Sequence, residues 1–234
     1  YAGGNVTPRG RYEEGSETFY ENNFSFLATA RKDNLLNKFG GFLSFGGNIM
    51  QQKRNKMNAS SGDLLAPNLF NINNAYDKVT ASSEMTQRKM NSLYGSLQLN
   101  WDGWLFLDVT ARNDWSSTMS KENRSYFYPS VSLSGVISDM IQKNGGSMPE
   151  WISFAKVRAS FAEVGNDLDP YQLYNVYTIG KDPNNNNIAS AGNVLFDETV
   201  KSELIKSWEV GADIRFFNNR FGIDAAWYKS NATN

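Results

Sequence analysis

The sequence predicts an all-β fold, in which about eight long antiparallel strands, connected up-and-down, form one segment of a transmembrane β-barrel with long extracellular loops. Three observations lead to this prediction. Apolar and polar residues alternate with a period of two in run after run of the chain. The runs are about 10 to 14 residues long, enough to cross a bilayer at a tilt, whereas strands of soluble domains have about 5–6 residues. Short and long connections also take turns along the chain.

The first two strands are the least regular, and residues 1–21 before them are expected to form a loop. Residues 22–31 and 38–50 nevertheless carry most of their large apolar side chains on one parity, which indicates that one face of each strand is apolar. Those side chains are Phe24 and Phe26 in the first run, and Phe39, Leu43, Phe45 and Ile49 in the second.

Six more strands follow, and their alternation is clear. Asp102-Gly103 is a strong signal for a two-residue hairpin between the first two of them. Asn218-Asn219 predicts a tight turn between the last two, because Asn tolerates a positive φ. The apolar parities of the six strands run over Leu93–Trp101, Leu105–Ala111, Val131–Ile137, Ala155–Phe161, Trp208–Phe216 and Phe221–Trp227.

The connections fall into two sets by length. In outer-membrane barrels the periplasmic turns are short and the external loops are long. The set expected on the periplasmic side is 33–37, 102–103, 217–220 and a medium connection at 139–150. The set expected outside is 51–86, 113–125 and 163–206.

Charged residues within the strands occupy the parity opposite to the apolar one. An Arg or Lys facing lipid at mid-depth costs about 2–4 kcal/mol, so these groups are predicted to face a water-filled lumen. In a soluble β-sandwich the same residues would form the solvated outer face. The residues predicted to face the lumen are Asp108, Arg112, Lys156, Arg158, Glu209, Asp213, Arg215 and Asp224.

Large aromatic residues lie near the strand ends. Aromatic rings favour the headgroup layer of a membrane, so two belts at opposite strand ends are typical of a membrane barrel. The predicted interfacial girdle consists of Trp101, Trp104, Trp151 and Phe216 beside the short turns, and of Trp208 and Trp227 toward the long loops.

The composition excludes several function classes. The chain has no Cys and no His, which removes disulfide frameworks, the usual zinc sites and catalysis by His-containing triads. A net charge of −1 argues against a nucleic-acid-binding protein. We therefore expect no cofactor, no metal site and no enzymatic activity.

Two clusters of carboxylates are weak candidates for other chemistry. A glycosidase needs only two carboxylates, and Glu13, Glu14 and Glu17 or Asp167 and Asp169 would supply them, but nothing in the sequence orients either pair. Asn166, Asp167 and Asp169 could bind Ca²⁺ through oxygen, although the twelve-residue EF-hand spacing is missing. Solvated loop charge is the preferred interpretation of both.

Binding through the long loops is more plausible. Aromatic rings among Asn, Asp and Gln suit sugars or peptides, and equally suit contact with a covering protein. The residues expected to make such substrate or partner contacts are Tyr12, Tyr20, Trp115, Tyr171, Tyr174 and Tyr177.

Five stretches resemble the SusC/RagA-type TonB-linked outer membrane proteins. The most specific is the run Lys206–Asn234, with its Ser-Trp-Glu-Val-Gly opening and Tyr-Lys-Ser close. Val157–Asp167, Thr110–Ser117 and Asn123–Leu133 also match, and Gly46–Met50 matches more weakly. Together these stretches span most of residues 22–234, in the order in which the family places them.

The resemblance implies a TonB-dependent transporter of the Gram-negative outer membrane, surrounded by outer membrane lipid. Members of this family import glycan fragments or peptides, are capped by a SusD-like lipoprotein, and draw energy from TonB in the inner membrane. The sequence shows neither a plug domain nor a TonB box, so residues 1–234 are expected to be one segment of the barrel of a longer protein. The alternative is a soluble or surface-attached β-sandwich that binds carbohydrate.

Overall fold

The computed structural model describes residues 9–233, with every side chain except that of Leu35. Its main element is an eight-stranded antiparallel sheet. The elements are β1 (Arg11–Leu36), β2 (Phe39–Asp63), β3 (Thr80–Trp101), β4 (Leu105–Ser116), β5 (Ser125–Val136), α1 (Ile137–Lys143), β6 (Ile152–Asn166), β7 (Tyr177–Lys181), β8 (Asn187–Ala191), β9 (Glu203–Phe216) and β10 (Phe221–Thr233).

The order of the strands is β1-β2-β3-β4-β5-β6-β9-β10, and β7 and β8 form a separate hairpin. Each strand of the large sheet therefore pairs with the next one that enters the sheet. The predicted all-β, up-and-down segment with eight long strands is confirmed.

The register of these strands separates apolar from polar side chains. Residues directly opposite each other in antiparallel strands point to the same face, so a row of paired residues shares a face. One row consists of Leu99, Leu107, Leu133, Ala159, Val210 and Trp227. A row on the opposite face consists of Ser96, Thr110, Ser130, Ala162, Ser207 and Ser230. We call these the apolar face and the polar face.

The apolar face is not covered by other parts of the described chain. Leu133 is 48% exposed, Val210 55% and Trp227 61%. The apolar residues that are buried, namely Leu64, Met119, Tyr126 and Leu173, lie outside the rows of the apolar face. A β-sandwich buries the inner faces of its two sheets against each other. Because nothing in residues 9–233 packs on this face, the sandwich alternative is disfavoured.

The chain divides into two compact units, and β1, β2 and β3 each contribute to both. The first unit comprises Tyr1–Asn23 and Met50–Lys89. Within it, the Leu64 N–H donates to the Gly10 carbonyl at 3.1 Å. The Asn74 side chain holds the connection after β2 by donating to the carbonyls of Ala66 and Leu69, at 2.8 and 2.7 Å.

The second unit comprises Phe24–Ile49 and Met90–Asn234. It contains the rows of the apolar and polar faces and all the strands from β4 onward. Within residues 9–233, no helix is long and apolar enough to cross a membrane.

The first three strands are longer than the sequence predicts. β1 begins at Arg11, so most of the described part of the loop expected over 1–21 is strand, while residues 1–8 lie outside the described residues. β2 continues to Asp63 and β3 begins at Thr80, so the loop expected over 51–86 shrinks to 64–79. Residues 51–63 carry only Met57 and Ala59 as apolar side chains, which is too few to mark an apolar face, so hydrophobic alternation does not detect this strand.

Two elements within the connections were not predicted. α1 begins the connection between β5 and β6, which is consequently longer than the connection 117–124 between β4 and β5. The strict alternation of short and long connections is therefore not kept. The hairpin of β7 and β8 lies inside the predicted loop 163–206.

The tract 184–187 forms the turn of that hairpin and the start of β8. The Asp182 carboxylate accepts hydrogen bonds from the Asn184 and Asn186 N–H groups at 2.9 and 2.8 Å. The Asn186 side chain also donates to this carboxylate, and together these bonds lower the pKa of Asp182.

Both predicted turns are present, but the first is one residue longer than predicted. Asp102 and Gly103 have φ values of 52° and 70°, and the Trp104 N–H donates to the Trp101 carbonyl around them at 3.1 Å. Because Trp101 pairs with Leu105, the hairpin loop comprises three residues, 102–104, and not two. Asn218 and Asn219 have φ values of 57° and 63°. Asp102 also joins three neighbouring segments, because its carboxylate accepts from Lys38 at 2.8 Å and from Lys143, at the end of α1, at 3.3 Å.

Candidate functional site

The polar face carries a connected set of charged side chains. The register places the eight predicted lumen residues on this one face: Asp108, Arg112, Lys156, Arg158, Glu209, Asp213, Arg215 and Asp224. Whether a lumen lies on that side is a question for the whole barrel, and it stays a prediction.

Arg158 connects β6, β9 and β10. Its guanidinium lies 3.2 Å from the Glu209 carboxylate and 3.1 Å from that of Asp224. Gly211 of β9 is directly opposite Arg158 in the register. It lies between Glu209 and Asp213, the residue that pairs with Asp224. A Cβ at Gly211 would come within 2.8 Å of the Arg158 Nε atom, so the glycine leaves room for the guanidinium to cross.

The acids opposite each other on β9 and β10 are each paired with a cation. Asp213 pairs directly with Asp224 across the strands, an arrangement that destabilises a sheet when both are charged. Arg215 compensates Asp213 at 3.0 Å, and Arg158 compensates Asp224. Lys156 is opposite Asp213 on the other side.

Hydroxyl groups occupy the centre of the polar face. Ser44 and Ser96 share a hydrogen bond of 2.5 Å, and Thr110 and Ser130 share one of 2.6 Å. Ser207 and Ser230 continue the row at 3.0 Å. These uncharged groups suit hydrogen bonds to hydroxyls or peptide groups of a ligand.

A second cluster lies beyond this hydroxyl row, and we call it the Arg112 cluster: Ser92, Tyr94, Arg112, Asp114, Tyr126 and Tyr128. The Arg112 Nε donates to Asp114 at 2.8 Å, and its Nη2 donates to Ser92 at 3.1 Å. The Tyr128 hydroxyl donates to the other oxygen of Asp114. The sequence identified Arg112 but missed Asp114 and Ser92, since only the cross-strand register brings these residues together.

The polar face also has a pocket of about 270 Å³ near the first short turns. Arg31, Asp33, Gln98 and Asn100 line it, together with Gly41, Phe42 and Phe106. The Gln98 amide donates to Asp108 at 2.6 Å beside it. The first unit has a separate polar pocket of about 420 Å³ between β1, β2 and β3.

The candidate carboxylate clusters do not form catalytic pairs. Glu13 pairs with Arg11, and Glu17 lies 3.4 Å from Arg54. Asp167 accepts hydrogen bonds from the Ser116 and Thr118 hydroxyls, which fix the chain after β6 to the end of β4 and the connection that follows it. Among residues 9–233, no group of three or more acidic side chains is arranged to hold a metal ion.

The six predicted contact residues do not form one group. Tyr12 and Tyr20 lie in β1, Trp115 lies at the end of β4, and Tyr177 opens β7, so only Tyr171 and Tyr174 lie in a loop. Those two rings are 6.4 Å apart and exposed. Trp115 pairs with Ser125 in the register of the apolar face, which separates it from the charged residues.

The predicted girdle residues gather at the two ends of the apolar face. Trp101 stacks on Phe39 at 5.6 Å and lies 6.2 Å from Trp104, while Trp151 stacks on Phe216 at 5.8 Å. At the other end, Trp208 contacts Phe161 at 4.5 Å, and Trp227 lies on the neighbouring strand.

On the side of Trp208 toward the long loops, the apolar face carries polar residues again. Lys206 pairs there with Glu163 at 3.2 Å, and Lys229 is opposite Trp208. At roughly 3.4 Å per residue, the strand from Phe216 to Trp208 spans about 27 Å. Strands of outer-membrane barrels tilt by about 35–45°, so this length covers roughly 19–22 Å of an apolar band that is about 25 Å tall.

Comparisons with known proteins agree with this geometry. The family model described as "TonB dependent receptor-like, beta-barrel" matches residues 1–234. TonB-dependent receptors P3 and P26 of Formosa agariphila are each 26% identical to the chain over 153 residues. These matches cover 63% of this chain and 15% of each relative.

Solved structures show the same fold. The RagAB peptide transporter aligns with a TM-score of 0.80 at 18% identity, covering 94% of this chain and 24% of that chain. The RagAB peptide importer in its "closed-closed" state aligns with a TM-score of 0.80, also at 18% identity, over 97% of this chain and 25% of that chain. The chain thus spans about a quarter of the length of these solved relatives.

Proposed function

The chain belongs to the TonB dependent receptor-like β-barrel family, and we propose that residues 1–234 form one segment of the barrel wall of an outer-membrane receptor that imports nutrients. Proteins of this family are transporters and not enzymes. The observation that carries the proposal is the sheet itself, which has an uncovered apolar face and a charged, internally paired polar face.

The apolar face supports contact with lipid. An exposed apolar surface of this extent is unusual on a soluble monomer and indicates an interaction surface. Its aromatic clusters lie at opposite ends, and the Lys206–Glu163 pair begins beyond Trp208. Lipid tails form no hydrogen bonds, so backbone groups within the bilayer core must bond to neighbouring strands. The part of the sheet that suits the core is therefore the part whose strands are hydrogen-bonded to each other and whose apolar face carries no charge.

The polar face supports contact with a water-filled or protein-filled lumen. Its carboxylates are compensated by Arg158 and Arg215, and its hydroxyl row offers hydrogen bonds without net charge. We place substrate passage, and packing against a plug supplied by another part of the protein, on this side.

The finer assignments rest on the family and on the solved neighbours. RagAB is described as a peptide transporter, which supports a peptide or a glycan fragment as the substrate. We further propose a SusD-like lipoprotein as the covering partner and TonB of the inner membrane as the energy source. Tyr171 and Tyr174 are exposed and are the best-placed loop residues for contact with substrate or lid.

Uptake in intact cells tests the proposed function. Cells that carry the full-length receptor should accumulate labelled peptides or oligosaccharides, and a protonophore that removes TonB energy should abolish the accumulation. Accumulation that is independent of the receptor gene and of energy would contradict import.

Surface labelling tests the predicted orientation. A cysteine at Asn184, in the connection between β6 and β9, should react with an impermeant thiol reagent on intact cells. A cysteine at Ser147, in the connection between β5 and β6, should react only after the outer membrane is opened. The reverse pattern would contradict the sidedness.

A further inference from the structure

Arg112 is held in a fixed position on the polar face. Asp114, whose side chain is only 4% exposed, accepts from its Nε, and Ser92, also buried, accepts from its Nη2. Asp114 is itself oriented by the Tyr128 hydroxyl. A guanidinium with two fixed partners has already lost most of its rotational freedom, so a ligand need not order it.

One edge of this guanidinium remains available. Among residues 9–233, no partner is found for the Arg112 Nη1, and 40% of the side chain is exposed. Arg158 differs, because its guanidinium contacts two carboxylates. Arg215 also has no partner for Nη1 among the described residues, but both of its hydrogen bonds go to the single carboxylate of Asp213, so it lacks a second fixed partner such as the one Arg112 has in Ser92.

Aromatic side chains flank Arg112 on both neighbouring strands. Tyr94 and Tyr128 are its direct partners in the register, and Arg112 lies 5.8 Å from the centre of the Tyr94 ring. Glycines give these rings space: a Cβ at Gly46 would come within 2.6 Å of the Tyr94 ring, and one at Gly165 within 3.3 Å of the Tyr128 ring. Arg112 therefore lies between two tyrosines.

We propose that Arg112 recognises a carboxylate group of the transported substrate. This inference rests on the proposed function and names the chemical class of its ligand. A carboxylate that approaches the edge formed by Nη1 and Nη2 can accept two parallel hydrogen bonds, the geometry in which Arg binds carboxylates most strongly. The tyrosine rings on either side cover the apolar part of the ligand, and the hydroxyls of Ser96, Thr110 and Ser130 form the next row.

Binding to the purified full-length receptor in detergent tests the proposal by calorimetry. Two matched pairs of probes differ in carboxylates alone: the blocked peptides Ala-Glu-Ala-Glu-Ala and Ala-Gln-Ala-Gln-Ala, and trigalacturonate against galactotriose. At low salt, at least one acidic probe should bind about tenfold more tightly than its neutral counterpart. The pair that shows the difference identifies whether the carboxylate comes from a peptide or from a sugar.

The variant R112Q/D114N removes the recognising group without leaving a buried charge. It should reduce the ratio of the affinity for the acidic probe to the affinity for its neutral counterpart to about one. The matched control D213N/R215Q removes another ion pair of the same face, which takes no part in the proposed site, and it should leave the ratio unchanged. R112K keeps the charge but loses the planar fork, so it should give an intermediate ratio. Heat-modifiable migration in gels confirms that each variant is folded.

Several results would overturn the proposal. One is that neither acidic probe binds more tightly than its neutral counterpart, or that no probe binds at all. Another is that the preference for the acidic probe survives in R112Q/D114N. A third is that D213N/R215Q loses this preference to the same extent as R112Q/D114N. The energy-dependent uptake measured in cells is independent of this preference. A receptor that imports neutral and acidic substrates equally would keep the proposed function while refuting the role of Arg112.

Discussion

The two faces of the large sheet are stabilised in different ways. On the polar face, side chains bind one another: Arg158 bridges Glu209 and Asp224, and Thr110 bonds Ser130. On the apolar face, the rows between the aromatic clusters consist of side chains such as Leu133 and Val210, which stay about half exposed. The polar face thus supplies its own partners, whereas the apolar face needs a partner that the described chain does not contain.

The largest difference between the faces should appear when a charge is introduced. Val157→Arg and Val210→Arg place a cation in the apolar band at a cost of about 2–4 kcal/mol each, whereas Ser160→Arg adds it to the polar face beside Glu209. The first two variants should strongly reduce the fraction of full-length receptor that is assembled in the outer membrane, measured by heat-modifiable migration. Ser160→Arg should reduce it little, and equal loss at all three positions would refute the division.

A smaller effect is expected inside the polar face. Gly211→Ala would put a methyl group within 2.8 Å of the Arg158 Nε and displace the guanidinium from Glu209 and Asp224. Because a flexible side chain can move, we expect only a small decrease in the free energy of unfolding and a slightly lower unfolding midpoint. Urea denaturation of the receptor in detergent would measure this decrease, because an uncharged denaturant does not screen the ion pairs.

The control for Gly211 lies on the same face of the neighbouring strand. Gly222→Ala meets no atom closer than 3.7 Å, so its unfolding midpoint should match that of the wild type. If Gly211→Ala also leaves the midpoint unchanged, the Arg158 bridge contributes nothing to stability.

The smallest effect is expected in a turn, whose residues belong to neither face of the sheet. Hydrogen bonds from Lys38, and then from Lys143, lower the pKa of Asp102. A lowered folded-state pKa means that the stabilisation is complete above the unfolded value of about 3.9 and is lost as the pH falls through the folded value. Wild type should therefore be slightly more stable than Asp102→Asn at pH 7, and the difference should vanish near pH 2.

Denaturation midpoints of both proteins at several pH values would measure this difference. A gap that stays constant down to pH 2 would mean that the charge on Asp102 does not matter for the turn.

The strands with one apolar and one polar face were predictable from the sequence. The alternation of Leu105–Ala111 and of Trp208–Phe216 reports directly that one side of each strand avoids water. Asp102-Gly103 and Asn218-Asn219 were predictable as well, because their positive φ values demand such residues.

Other features have no local signal of this kind. Residues 51–63 form the second half of β2 without any alternation, and the short hairpin of β7 and β8 is exposed on both sides. The tract Asp182 to Asn186 could have indicated the turn of that hairpin, because Asp and Asn favour turns. The Arg112 cluster depends on the register between β3, β4 and β5, which a sequence does not display.

The most direct test of the two-faced wall uses spin labels at four consecutive positions of β4: Leu107, Asp108, Val109 and Thr110. In the full-length receptor in lipid vesicles, collisions with oxygen report lipid, and collisions with a water-soluble nickel complex report water. The ratio of oxygen to nickel accessibility should be high at Leu107 and Val109 and low at Asp108 and Thr110. A ratio that is flat along the four positions, or highest at Asp108 and Thr110, would contradict a sheet that separates lipid from a polar interior.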